Sequence, residues 1–161
     1  MNTNTEIKKE LRVSAIKNGT VLDHIPADVV LKVVKILGLN DHPHPVTIGI
    51  GLDSKTMGKK GIIKIAEKFF EDDELNKIAL VAPKASVNVI RNYEVIEKKV
   101  LSIPKELCGI ARCINPVCVT NHEDVETRFE TIVKDNEILL KCHYCEKITD
   151  SKNLKIISNN L

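Results

Sequence analysis

The chain has 161 residues, a length that suits one domain or two small ones. Its composition is that of a globular protein, 43% apolar and 29% charged, but only 3% is aromatic and Trp is absent, so the core must come from Ile, Val and Leu. A formal net charge of +2 lacks the basic excess of a nucleic-acid footprint, and so few aromatics argue against base stacking.

No apolar run is long enough to span a bilayer. The opening "MNTNTEIKKELR" lacks the apolar middle of a signal peptide, so it reads as a short arm on a cytoplasmic protein. In chain order, "LRVSAIK" (11–17) reads as a strand, followed by a turn at Asn18-Gly19 and a second extended piece, "TVLDHI". "PADVVLKVVKIL" (26–37) reads as a helix. Pro26 suits its first turn, Val30, Val33, Val34 and Leu37 form one face, and Gly38 suits its end. "DHPHP" is a loop, because Pro43 and Pro45 restrict the residues before them. "VTIGIGL" (46–52) and "KKGIIKIAEKF" (59–69) are strands, the second with Lys60, Ile62 and Lys64 on one face. "EDDELNKIALVA" (71–82) is a helix with acids in its first turn, where the helix dipole favours them. "ASVNVI" and "YEVIEKKV" close this region as strands. The expected fold class is α+β: a ferredoxin-like β-α-β-β-α-β unit with an added strand, its two helices covering an antiparallel or mixed sheet.

All five cysteines lie between Cys108 and Cys145, a break in composition that sets the expected boundary at 1–103 and 104–161, near Pro104. The second region is all-β. "TRFETIVK" and "EILLKC" flank Asp135-Asn136 as a hairpin. So short a region needs a staple. "LCGIARCINPVCV" and "KCHYCEK" supply one: Cys113 and Cys118, with Cys142 and Cys145, offer four thiolates from two turns, the pattern of a zinc ribbon. Four Cys ligands leave no open position for a reacting water, so such a site is structural. Spacing alone leaves an iron–sulfur cluster open, and it allows Cys108 in place of Cys113 or Cys118. Asn115 and Pro116 favour the Cys113–Cys118 loop. Cys108 is then a spare thiol, expected as a small buried apolar residue. His122 and His143 are expected as surface imidazoles rather than ligands.

Several motifs carry no chemistry. "GIGLDS" has Ser54 where a dinucleotide fingerprint needs its third glycine, and "MGKKG" lacks the first glycine and the Ser/Thr of a P-loop. Asp23 beside His24 reads first as a structural hydrogen bond. No nucleophile-and-base signature is present, so the chain is expected not to be an enzyme. Lys60, Lys64 and Lys98 lie on strands. They are either a solvated face or three point charges for a polyphosphate.

"AIKNGTVLDHIPA", "TIGIGL", "MGKKGIIKI", "APKASVNVIRNYEV" and "LKCHYCEK" occur in order through most of the chain. Together they resemble the regulatory chain of aspartate carbamoyltransferase. The resemblance implies a non-catalytic subunit whose first domain binds the allosteric effectors CTP and ATP and pairs regulatory chains into dimers. It also implies a zinc domain that docks on the catalytic chain of this pyrimidine-pathway enzyme. It places Val13, Ala15, Ile16, Asp23, His24, Lys60, Lys64, Asn88, Ile90, Tyr93, Val95 and Lys98 in the nucleotide pocket, and Cys113, Cys118, Cys142 and Cys145 on zinc. Ser14 departs from the family, in which an acidic residue often stands there. Both nucleotides carry an exocyclic amino group that the backbone carbonyls of Ile16 and Tyr93 can accept, while the lysines neutralise phosphates. Neither a nucleic acid nor a membrane is an expected partner. The alternative reading is a zinc-ribbon nucleic-acid-binding protein, which would need a basic, aromatic stripe on the ribbon.

Overall fold

The computed structural model describes residues 15–158. Val13, Ser14 and most of the strand expected at 11–17 lie outside the described residues. The first sheet has five strands: β1 (Gly19–Pro26), β2 (Val46–Ser54), β3 (Gly58–Ala66), β4 (Ser86–Arg91) and β5 (Glu94–Val100). Its order is β2-β3-β1-β4-β5, with every neighbouring pair antiparallel. Helices α1 (Val30–Ile36) and α2 (Asp72–Val81) complete the β-α-β-β-α-β unit, and β5 is the added strand. Sheet and helices share one aliphatic core that includes Leu22, Ile63, Ile65 and Val87 from the strands and Val30, Val33 and Ile78 from the helices.

Gly61 sets how closely α1 approaches. A Cβ there would stand 2.0 Å from Cγ2 of Val30, so only glycine lets this turn of helix rest on β3. The valines and Leu37 of α1 are buried as their spacing predicts. Helix α2 opens on a capping box between Glu71 and Glu74. Gly38 ends α1 in the left-handed region, at φ 63°.

Three local expectations need correction. Pro26 closes β1, opposite Lys60, and its carbonyl accepts the Val29 N–H in a turn before α1 starts at Val30. A proline lacks the N–H that a continuing strand would need, so it fits a strand end as readily as a helix start. The chain bends at Lys17–Asn18 but does not turn between two strands, because β1 begins at Gly19 and 15–17 are not strand. Asn18 bridges instead: its carbonyl accepts the Glu67 N–H and its side-chain oxygen accepts the Asn92 N–H. β3 stops at Ala66 rather than running to 69, since Glu67 turns to φ 55°.

The second region holds β6 (Glu106–Cys108), β7 (Ala111–Arg112), β8 (Arg128–Lys134), β9 (Glu137–Cys142), β10 (Ile148–Asp150) and β11 (Lys155–Ile156). They form a four-stranded sheet, β10-β9-β8-β6, and a two-stranded ribbon, β11-β7. Asp135 and Asn136, both at positive φ, make the tight hairpin between β8 and β9. The second core gathers Leu107, Ile110, Phe129, Leu140 and the buried cysteines. It also takes in Leu80 of α2, although the adjacent Ile78 and Ala79 belong to the first core. Among the described residues no helix is long and apolar enough to cross a membrane.

Candidate functional site

The face of the first sheet away from its helices can be read from the strand register, because residues directly opposite one another in antiparallel strands share a face. Thr47, Lys64, Val21, Asn88 and Lys98 form one row across all five strands. Ala66, Gly19, Ile90 and Val95 form the next row, and Asp23, Ser86 and Val100 a third. Lys60 stands opposite Pro26 and Leu52 on the same side of β3 as Lys64. Ala15 and Ile16 precede β1. Tyr93 sits in the tight turn between β4 and β5 at φ 67°, and its N–H donates to the Lys17 carbonyl at 2.9 Å. That bond ties the segment before β1 to the far end of β4.

A bulge in β1 shapes this face. Leu22 pairs with Ile63 and Ile25 with Gly61, so Asp23 and His24 together oppose the single residue Ile62. His24 takes up the extra length at φ 56°, and its N–H donates to Oδ1 of Asp23 at 2.6 Å. The Lys60 ammonium reaches Oδ1 of Asp23 at 2.8 Å and Oδ2 at 3.0 Å. Burial raises the Asp23 pKa, but Lys60, the His24 amide and the nearby positive charges outweigh it and hold the carboxyl below its usual value. Burial lowers Lys64 below the usual lysine value, and the Asp23 carboxylate pulls it part of the way back. Nδ1 of His24 lies 3.3 Å from the Ser86 hydroxyl and 3.7 Å from Oδ2 of Asp23. The two compete for one ring nitrogen, so this is not the relay of a Ser-His-Asp triad, which needs both nitrogens.

The cysteines converge at the other end of the chain. The sulfurs of Cys113 and Cys145 are 3.6 Å apart, those of Cys118 and Cys142 are 3.8 Å apart, and all four lie within 4.8 Å of one another. A disulfide would bring two of them to about 2.05 Å. Four thiolates about 2.3 Å from a central zinc stand about 3.8 Å from one another. The donor set therefore fits one tetrahedral ion. Backbone amides aim at the sulfurs: Asn115 at Cys113, Tyr144 and Cys145 at Cys142, and Lys147 at Cys145. Burial pushes Cys113 up to about 12 and raises Cys142. Burial raises Cys145 too, but the Lys147 amide, the Asn115 side chain and the neighbouring sulfurs bring it down to about 7. A dication among these groups favours the thiolate at every position.

Residues 11–102 match the family model described as aspartate carbamoyltransferase regulatory chain, allosteric domain, and residues 105–155 match the one described as its metal binding domain. The chain belongs to the aspartate carbamoyltransferase regulatory chain family. Proteins bearing that name include one from Bacteroides fragilis, 52% identical over 95% of this chain and 99% of the relative. Another, from Phocaeicola vulgatus, is 50% identical over 93% and 96%. A third, from Pyrococcus horikoshii, is 48% identical over 90% and 96%. It is thus a regulatory rather than a catalytic chain, and the nucleic-acid-binding alternative is not favoured.

Of the neighbouring residues of this regulatory chain, Cys108 departs from expectation, while His122 and His143 are exposed as expected. Cys108 is exposed, not a buried apolar filler, with its thiol 3.6 Å from the Glu106 carboxylate. The short strand β6 presents alternate residues outward, and only Leu107 between them turns in. His122 is not in the sulfur cluster, and its Nε2 meets the Pro116 carbonyl at 2.6 Å. His143 stacks edge-on with Tyr144. Sequence reasoning missed Asn121, whose side-chain amide donates to the carbonyls of Cys113 and Asn115, and Thr120, whose hydroxyl lies 3.3 Å from the Cys118 sulfur. An Asn shortly after a ligand-bearing turn was the available signal.

Proposed function

We propose that this regulatory chain binds CTP and ATP on the open face of its first sheet and conveys their binding to the catalytic chain of aspartate carbamoyltransferase through a zinc-bound ribbon. In this reading residues 1–103 form the effector domain, which also pairs two regulatory chains. Residues 104–161 form the zinc domain, which docks on the catalytic chain. The setting is cytoplasmic pyrimidine synthesis.

The observation that carries the reading is the row of Lys64, Asn88 and Lys98, with Lys60 and Asp23 beside it. Three lysines against one carboxylate leave a positive surface, and a phosphate placed there offsets the cost of holding Lys64 charged. Val13, Ala15, Ile16, His24, Ile90, Tyr93 and Val95 supply the base and ribose contacts, with the carbonyls of Ile16 and Tyr93 accepting from the amino group common to CTP and ATP. UTP and GTP present an oxygen there, which leaves two acceptors facing each other. One site then serves two effectors, whose effects differ only through different affinity for the two states of the assembly. Cys113, Cys118, Cys142 and Cys145 would hold zinc. The ion supplies a crosslink between the two turns and takes no part in a reaction.

Isothermal calorimetry on Lys60→Ala tests the effector reading. Loss of one charge-assisted contact is expected to weaken CTP and ATP alike, by about 1.5–3 kcal/mol. Unchanged affinity for both would remove Lys60 from the site, and a change for one alone would assign it to reading the base.

A further inference from the structure

β11 pairs with β7 over two residues only, and one of the two pairs sets Arg112 directly opposite Lys155. Like charges at this distance repel and weaken a ladder. Both side chains are exposed, and among the described residues neither has a carboxylate partner. Glu123, Asp124 and Glu126 line a groove together with Arg112, but none of them forms a salt bridge with it. Arg112 and Lys155 together line two further grooves, of about 470 and 500 Å³. One of these runs along the Cys113–Pro116 turn past the amides of Asn121 and Asn153. Ile114 and Ile157 stand partly exposed beside the two cations. The result is two cations with no carboxylate partner among the described residues and an apolar border, contiguous with the metal-binding turn. An Arg with apolar neighbours and no internal partner is the usual anchor of a protein interface.

We propose that Arg112 and Lys155 form a seat for a carboxylate-bearing segment of the catalytic chain. This rests on the reading that the ribbon is the docking element. The acidic segment is the occupant that relieves the repulsion between the two strands, and the turn beside it brings the seat into the docking surface.

The test separates stability from assembly. Arg112→Glu converts a like-charge pair into a cross-strand ion pair with Lys155. The free regulatory chain should therefore keep one zinc and melt at an unchanged or higher temperature. Its affinity for the catalytic chain, measured by biolayer interferometry with full-length chains, should fall about tenfold or more, and its dependence on salt should flatten. Lys155→Glu should do the same. A folded, zinc-bound variant with wild-type affinity and salt dependence would overturn the proposal. The wild-type chain stripped of zinc is the control for the reading beneath it. Release on stripping together with unchanged affinity of both variants sinks the cationic seat alone, whereas retention after stripping removes ribbon docking and the seat with it.

Discussion

Gly61 and Asp23 serve different ends, one packing against α1 and one charge on the open face. The Gly61→Ala Cβ would have to share space with Val30, which is fully buried and cannot move aside. Overpacking of this kind costs about 1–3 kcal/mol, so the variant should show a lower urea midpoint with an unchanged slope. A variant as stable as wild type would mean that α1 can lift from β3 freely. Asp23 makes a pH prediction. Its carboxyl is held below the usual value in the folded chain, so the unfolded chain binds the proton first. Its contribution is complete above the ordinary carboxylate pKa and is lost as pH falls through the lower, folded value. Wild type should therefore lose stability below about pH 4 more steeply than Asp23→Asn. Equal slopes would show that the Lys60 contact does not favour the charged form.

At the scale of elements, the outcome turned on whether a signal was local. The two helices, the hairpin at Asp135-Asn136 and the αL residue Gly38 were legible because capping, turn chemistry and period are written within a few residues. The β1 bulge was not, since nothing in "VLDHIP" says that Asp23 and His24 will oppose one residue of a strand far along the chain. Asn18 was misread for the same reason: an Asn-Gly pair favours a turn locally, but here its side chain serves Asn92 and its carbonyl Glu67. The pair of turns that carries the cysteines makes its own prediction. Cys142→Ala should abolish zinc binding and melt the ribbon, because ligand loss and unfolding are one event in so small a core. Cys108→Ala should retain one zinc per chain by metal analysis. Iron with visible absorption, or loss of metal in Cys108→Ala instead, would overturn the ligand set.

Across the whole molecule, two cores meet at α2 and at Ile103. Ile78 and Ala79 belong to the first core, Leu80 enters the core of the ribbon and Ile103 packs against both, so α2 and the segment at Ile103 connect the charged face to the sulfur cluster. That connection was invisible in the sequence, where residues 71–82 read as a helix serving its own sheet. Its size decides how independent the regions are. Exposing Leu80 costs about 1.5–3 kcal/mol, which the first core can bear without its neighbour. The ribbon has no such reserve without its ion. The account therefore treats nucleotide binding and docking as separate properties coupled through the assembly. Its most direct test is to strip zinc from the assembled enzyme with a mercurial, then measure size and CTP binding on the same sample by gel filtration and calorimetry. The account predicts that the regulatory chain leaves the catalytic chain and still binds CTP, while the catalytic chain stays active and stops responding to nucleotides. Chains that remain together without zinc, or CTP binding that disappears with the metal, would contradict it.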